Sequence, residues 1–224
     1  MKNRRERVLV YGAPGVGKTC FAASAPSPVL ILDTQQGTTY LDQIVDPNRF
    51  RVVPITNPKR LDELLVRATG EFPYQTVVID KIEDIRRAYA RSLAGNRLSV
   101  TRQEWGETAE WLARWLLAAR HLPAHVIYVA GEREIEVKES LVVRPDIGGI
   151  SLARLEDEVD HIFRMSIETD MQGNRGRWLR TVAPWGEFCA KTRCPTLEAE
   201  YLNPTWEMIF GSPGKGGEEG TSQL

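Results

Sequence analysis

The feature that most restricts this chain is a short apolar run, Val8-Leu9-Val10-Tyr11, that stops at a glycine and opens into Gly12-Ala13-Pro14-Gly15-Val16-Gly17-Lys18-Thr19. A G-x-x-x-x-G-K-[ST] string acts as a phosphate cradle when a buried strand delivers it and a helix begins inside it, and the flanking pattern meets both conditions. Gly15 and Gly17 let backbone N–H groups converge on an anion, and the helix expected from near Lys18 turns its positive dipole end toward the same point. Lys18 then neutralises the β and γ phosphates of a nucleotide, while Thr19 offers a hydroxyl to Mg²⁺. The expected phosphate-binding set is Gly12, Ala13, Pro14, Gly15, Val16, Gly17, Lys18, Thr19 and Cys20, with ATP and Mg²⁺ as cofactors.

Similar apolar runs recur at Val29-Leu30-Ile31-Leu32, Thr76-Val77-Val78-Ile79 and Val126-Ile127-Tyr128-Val129, the pattern of strands buried on both faces of a parallel sheet. Helical patterns lie between them. Asn57 suits a cap and Pro58 a first helical position; Leu61, Leu64, Leu65 and Ala68 share one face, and Gly70 ends it. Thr101-Arg102-Gln103-Glu104 reads as a capping box opening a longer helix, on which Trp105, Ala109, Leu112, Leu116 and Ala119 form a core stripe. This alternation predicts an α/β fold, a mainly parallel, doubly wound sheet flanked by helices. Residues 132–144 alternate charged with apolar side chains and end at Pro145-Asp146-Ile147-Gly148-Gly149, which predicts a hairpin or loop. Beyond it, Ile162-Phe163-Arg164-Met165, Trp178-Leu179-Arg180-Thr181-Val182 and Phe188-Cys189-Ala190 predict antiparallel edge strands near the C-terminus. Asn203-Pro204 is the expected start of a last short helix, and residues 211–224 are rich in Gly, Ser and Glu. One domain over 1–210 and a disordered tail over 211–224 are therefore expected.

Composition narrows the setting. A chain of 224 residues with 42% hydrophobic and 26% charged residues is of the soluble globular class. Its formal net charge of -1 means that any nucleic-acid contact must come from a local basic patch. No apolar run reaches the roughly 20 residues of a membrane span, and Met1-Lys2-Asn3-Arg4-Arg5 leads into a run too short for a signal peptide, so a cytoplasmic location and no membrane partner are expected. Cys20, Cys189 and Cys194 are an odd set without C-x-x-C spacing and read as reduced thiols. His121, His125 and His161 carry no metal signature.

Thr76-Val77-Val78-Ile79-Asp80 places a carboxylate at the end of a buried strand, the form of the Mg²⁺-binding strand that accompanies a P-loop. Thr19 and Asp80 are thus the metal-site residues, and Lys81 and Glu83 flank the site. No N-K-x-D string that would read guanine is present; Thr56-Asn57-Pro58-Lys59 has the wrong order. The sequence shows no lid and substrate-arginine pattern of the kind small-molecule kinases usually need, which leaves RecA-like and AAA-like ATPases as the main candidates.

Five strings together resemble the phage-encoded RecA-like ATPases grouped with single-strand annealing and recombination proteins. They are Tyr11 to Thr19, Ile31-Leu32-Asp33-Thr34-Gln35-Gln36-Gly37, Val77 to Asp80, Gln103-Glu104-Trp105-Gly106 and Ala190-Lys191-Thr192-Arg193, and the likeness spans Val8 to Arg193. The resemblance implies a RecA-like P-loop NTPase fold and ATP-dependent work on single-stranded DNA in phage recombination or replication. It also implies assembly as a ring or filament in the host cytoplasm, with a single-strand-binding protein as a further partner. Two readings stay open beside it, a nucleotide switch or helicase-loader module without annealing activity, and a small-molecule kinase.

RecA-like enzymes commonly place a glutamate at the end of the strand after the P-loop helix, where this chain has Asp33-Thr34-Gln35. An amide orients water but accepts no proton at neutral pH, so slow hydrolysis is expected, with Asp33 or Glu132 as the alternative base. The resemblance puts DNA-facing loops after Asp80 and in the later hairpin, which makes Arg86, Arg87, Arg91, Arg97, Arg102, Lys138 and Arg144 the candidate phosphate contacts. Lys191 and Arg193 follow the expected Phe188-Cys189-Ala190 strand two residues apart, so both would project to one face. Several RecA-like hexamers use such a K-x-R pair as a finger on a neighbouring subunit's ATP, and the same role is expected here.

Overall fold

The computed structural model describes residues 4–58, 60–63, 72–137, 140–169, 173, 175–183 and 186–211. Leu64, Leu65, Ala68, Gly70, Lys138 and the tail 212–224 lie outside the described residues.

Period-two alternation builds the three layers. In strand β1 (Arg7–Tyr11), Leu9 and Tyr11 face one side of the sheet while Val8 and Val10 face the other. The first face continues through Leu30, Val77, Ile79, Val126 and Tyr128 of β2 (Val29–Asp33), β4 (Thr76–Asp80) and β5 (His125–Ala130). It is covered by α2 (Ile82–Ala94), α3 (Arg102–Ala119) and α4 (Gly149–Glu158) through Ile85, Leu112, Trp115 and Leu155. On the second face Val8, Ile31, Val78 and Ile127 pack under Phe21 of α1 (Lys18–Ala23) and Trp206 of α5 (Trp206–Phe210). The capping box of α3 forms as expected, with Thr101 Oγ1 accepting from the Glu104 amide and the Glu104 carboxylate accepting from the Thr101 amide.

Among the described residues the main sheet has nine strands, eight of them in the order β11 (Glu200–Leu202), β9 (Arg175–Arg180), β8 (His161–Thr169), β1, β5, β4, β2 and β3 (Phe50–Pro54). Strand β3 pairs parallel to β2, and β1 is parallel to both β5 and β8. Antiparallel pairing begins only outside β8, with β9, β10 (Lys191–Thr192) and β11. A separate two-stranded ribbon, β6 (Glu132–Val137) with β7 (Ser140–Pro145), is the hairpin expected after β5.

Three expectations are corrected. The Ile162–Met165 run is an interior strand, since β1 occupies one of its edges and β9 and β10 share the other. Phe188-Cys189-Ala190 is no strand: Phe188 forms an isolated bridge to Val143, and regular pairing starts at Lys191. The last helix begins at Trp206 and not at Asn203-Pro204, because Thr205 supplies the cap to the Met208 amide.

Candidate functional site

Every parallel strand of the sheet points its C-terminal end to one edge, and the candidate site lies there. β1 ends at Tyr11, the loop follows, and α1 starts at Lys18 with Gly17 as its N-cap at φ 98, a left-handed conformation natural to glycine. A β-carbon at Gly17 would sit 2.9 Å from Cδ and Nε of Arg177, and one at Gly12 would collide with the Met165 carbonyl. The loop is therefore packed tightly beneath β8 and β9.

Lys18 is buried, and its ammonium donates to the carbonyls of Gly12 at 2.9 Å and Ala13 at 2.7 Å. Burial, joined by repulsion from Lys81, lowers its pKa to about 8 against the attraction of Asp80 and Glu132. Thr19 Oγ1 donates to Asp80 Oδ2 at 2.7 Å, so the two expected metal ligands already meet. Burial pushes the Asp80 carboxyl pKa up, with the charge of Asp33 adding to it, while Thr19, Lys18 and Lys81 pull it back. Hard oxygen donors in contact, one of them a carboxylate whose charge is penalised by burial, fit Mg²⁺.

Asp80 is anchored from behind. Thr34 donates its amide to the Asp80 carbonyl at 2.8 Å, and its hydroxyl accepts from the Lys81 amide at 2.9 Å. Asp33 does different work from a base. Its Oδ1 accepts from the Gln35 amide at 2.9 Å, and its Oδ2 accepts from the Thr38 amide at 3.1 Å and hydroxyl at 2.6 Å. A carboxylate so engaged organises the 34–38 turn, with both of its oxygens already taken by donors of that turn. Gln35 lines the cleft with Lys18, Thr19, Asp80, Lys81 and Arg177 around about 380 Å³ of space. Tyr40 and Ile44, each 68% exposed, form its apolar rim. Glu132 stands just past the end of β5, the strand between those of the P-loop and Asp80, and Arg164 Nε donates to it at 3.1 Å.

A second cleft, of about 360 Å³, opens beside the first turns of α2 and collects Arg86, Arg87, Arg91, Arg133 and Trp105. Arg86 is fixed, bidentate to the buried Glu83 at 2.7 and 2.8 Å and stacked 4.4 Å over the Trp105 ring. Glu83 also accepts from Arg87 at 2.9 Å and so is tied to this cleft, away from the P-loop. Arg87, Arg91 and Arg133 are exposed. Arg97 and Arg102 are not among the cleft residues; Arg97 pairs with Glu104 at the start of α3. Arg144 lies across the hairpin from Arg133 and is half-buried.

Lys191 and Arg193 are placed away from the P-loop of their own chain. β10 pairs with His161 and Ile162 at the start of β8, the sheet edge opposite to the loop. There Lys191 Nζ donates to the carbonyls of Glu156 and Val159, and Arg193 Nη1 donates to Asp160 at 3.2 Å. Arg7 donates to the same Asp160 at 2.9 Å. The Lys191 and Arg193 side chains therefore both reach the same 156–160 segment, as the two-residue spacing led one to expect, and there they meet carbonyls and carboxylates of their own chain.

Thr34, Arg133 and Arg177 were not singled out from the sequence. Thr34 belongs to the Asp33-Thr34-Gln35 string, where its tie to Asp80 has no local signal, and Arg133 was legible only as one charge in an alternating run. Arg177 reaches the loop through the pairing of β8 with β9, which no local pattern announces.

A family model described as an AAA domain matches residues 4–194, from the approach to β1 through the end of β10. None of the curated proteins matches the chain.

Proposed function

Because the chain belongs to the AAA domain family, a family of P-loop ATPases, we propose that it couples ATP hydrolysis to single-stranded DNA held in the arginine cleft. The setting is strand handling in phage recombination or replication, by a ring or filament of this chain. The observation that carries the reading is the position of α2. It starts two residues after Asp80, and its first turns supply Glu83, Arg86, Arg87 and Arg91 to the arginine cleft, so a polyanion bound there acts on the element next to the metal ligand.

At the nucleotide site, backbone N–H groups of the loop hold the phosphates and Lys18 leaves the Gly12 and Ala13 carbonyls for the β and γ oxygens. Thr19 and Asp80 would hold Mg²⁺, which would supply charge neutralisation on the phosphate oxygens. Gln35 orients the attacking water, and Glu132, beside Lys18, takes its proton when freed from Arg164. An amide in the cleft and Asp33 committed to its own turn favour slow, switch-like turnover over rapid hydrolysis.

For DNA, the exposed cations Arg87, Arg91 and Arg133 offer phosphate contacts despite a chain charge of -1. The test is ATP hydrolysis with and without single-stranded DNA, together with DNA affinity across salt. Stimulation by DNA is expected, with a log–log salt slope near -2 from about three contacts on a single strand. Absence of both stimulation and salt-sensitive binding removes DNA from the reading and leaves the nucleotide site standing.

A further inference from the structure

The antiparallel ribbon of β8 and β9 runs past the end of β1. Tyr11 is level with Arg164, and the next residues of β8 overhang the phosphate loop, with the Met165 carbonyl against Gly12. Arg177 is paired with Ile167 on that overhang. Asn203 fixes its backbone on the other side, accepting from the Arg177 amide at 3.1 Å and donating to its carbonyl at 2.6 Å. The side chain then lies across Gly17, with Cδ and Nε at the edge of the space that a β-carbon would take.

Two other arginines of the ribbon have carboxylate partners. Arg164 is paired with Glu132 at 3.1 Å, and Arg180 with Glu168 at 2.8 Å. Among the described residues no salt bridge engages Arg177, which is exposed and lines the nucleotide cleft. An arginine whose backbone is held on both sides and whose guanidinium is left over a phosphate cradle is arranged for an anion.

From this geometry, and resting on the nucleotide reading above, we infer that Arg177 is a cation supplied in cis to the phosphates that ATP and ADP share. The γ-phosphate end of the site is defined by Lys18 and by Thr19 against Asp80. Arg177 sits instead over Gly17, and its positive charge is felt at Cys20, one residue beyond Thr19. The loop amides around these positions cradle the α and β phosphates. A contact to groups common to substrate and product binds both alike, so it lowers KM without favouring the transition state. It also retains ADP after hydrolysis, which makes product release sensitive to Arg177.

The experiment compares wild type, Arg177→Ala and Arg177→Lys in binding of ATP, ADP and inorganic tripolyphosphate, with kcat and KM for ATP and with Tm as the check on folding. A charge-assisted contact of this kind predicts an affinity loss of about tenfold or more in Arg177→Ala for all three probes. The loss in kcat/KM lies in KM, and Arg177→Lys recovers part of it. Weakened ATP with unchanged ADP assigns Arg177 to the γ phosphate and overturns the inference. Weakened nucleotides with unchanged tripolyphosphate assign it to the base, and unchanged binding of all three leaves it a surface charge; either result overturns it too. Lys18→Ala is the control for the site itself. If wild type and Lys18→Ala bind the probes equally, the nucleotide reading fails, a result distinct from any Arg177 outcome.

Discussion

Replacing Tyr11 with phenylalanine tests whether the strand that delivers the phosphate loop is tied to the segment leading into β10. The Tyr11 ring is fully buried, and its hydroxyl donates to the Cys189 carbonyl at 2.6 Å while accepting from the Cys189 amide at 3.0 Å. The amide has a second partner, since it also donates to the Val143 carbonyl at 3.0 Å. The carbonyl is the group left short. Phenylalanine keeps the ring, so the loss is one net hydrogen bond plus the desolvation of an unpaired acceptor, together about 1–2 kcal/mol. For a domain of this size each kcal/mol moves Tm by about 2–4 °C, which predicts a fall of about 2–8 °C. Burial raises the phenol pKa above its usual value, so the bond stays intact throughout the neutral and mildly alkaline range. Thermal unfolding followed by circular dichroism reads the shift, and urea unfolding should show a lower midpoint at the same slope. A Tm within about 1 °C of wild type, or above it, would refute the assignment of this hydroxyl as the tie.

The Lys18 site predicts an alkaline loss of ATP affinity. Its pKa of about 8 keeps the ammonium charged below that pH and loses it above, so Kd is flat below the break and rises toward tenfold per pH unit above it. Lys81→Met removes a charge that lowers this pKa and moves the break upward; constant affinity up to about pH 9.5 contradicts the argument. Gln35→Glu supplies a carboxylate in the cleft and is expected to raise kcat about tenfold or more with little change in ATP affinity, and an equal or lower kcat rejects it.

The parts of the molecule that could be read in advance are those encoded by neighbours in the chain. Val8, Leu9, Val10 and Tyr11 declare a strand buried on both faces, the glycine string that follows declares the loop, and Thr101 with Glu104 declares the α3 cap. Asp80 was legible because a carboxylate closes a run of buried β-branched residues. Strand β3 was not, since Phe50, Arg51, Val52, Val53 and Pro54 form a half-exposed edge with no continuous apolar run. Strand β8 resembles an edge strand locally, because Arg164 interrupts its apolar residues, yet the partner that makes it interior is β1. The role of Asp33 depended on where the backbone of residues 35–38 turned, and the place of Lys191 and Arg193 on a strand that pairs with the start of β8 and begins only at Lys191. Long-range pairing and turn geometry decided these cases, and neither leaves a periodic signature.

The position of β1 in the sheet also sets when the nucleotide site comes into existence. Its two neighbours, β5 and β8, follow it by roughly 120 and 150 residues, which at translation rates of about 5–20 residues per second is a wait of roughly 6–30 s. During that interval the phosphate loop has been synthesised but its strand has neither partner, and an apolar segment with both edges open is exposed to mispairing. Closing a sheet through contacts so distant in sequence is intrinsically slow. ATP therefore has no assembled site on the nascent chain until β5 and β8 have emerged, and stabilisation by nucleotide acts on the finished sheet, too late to guide its early folding.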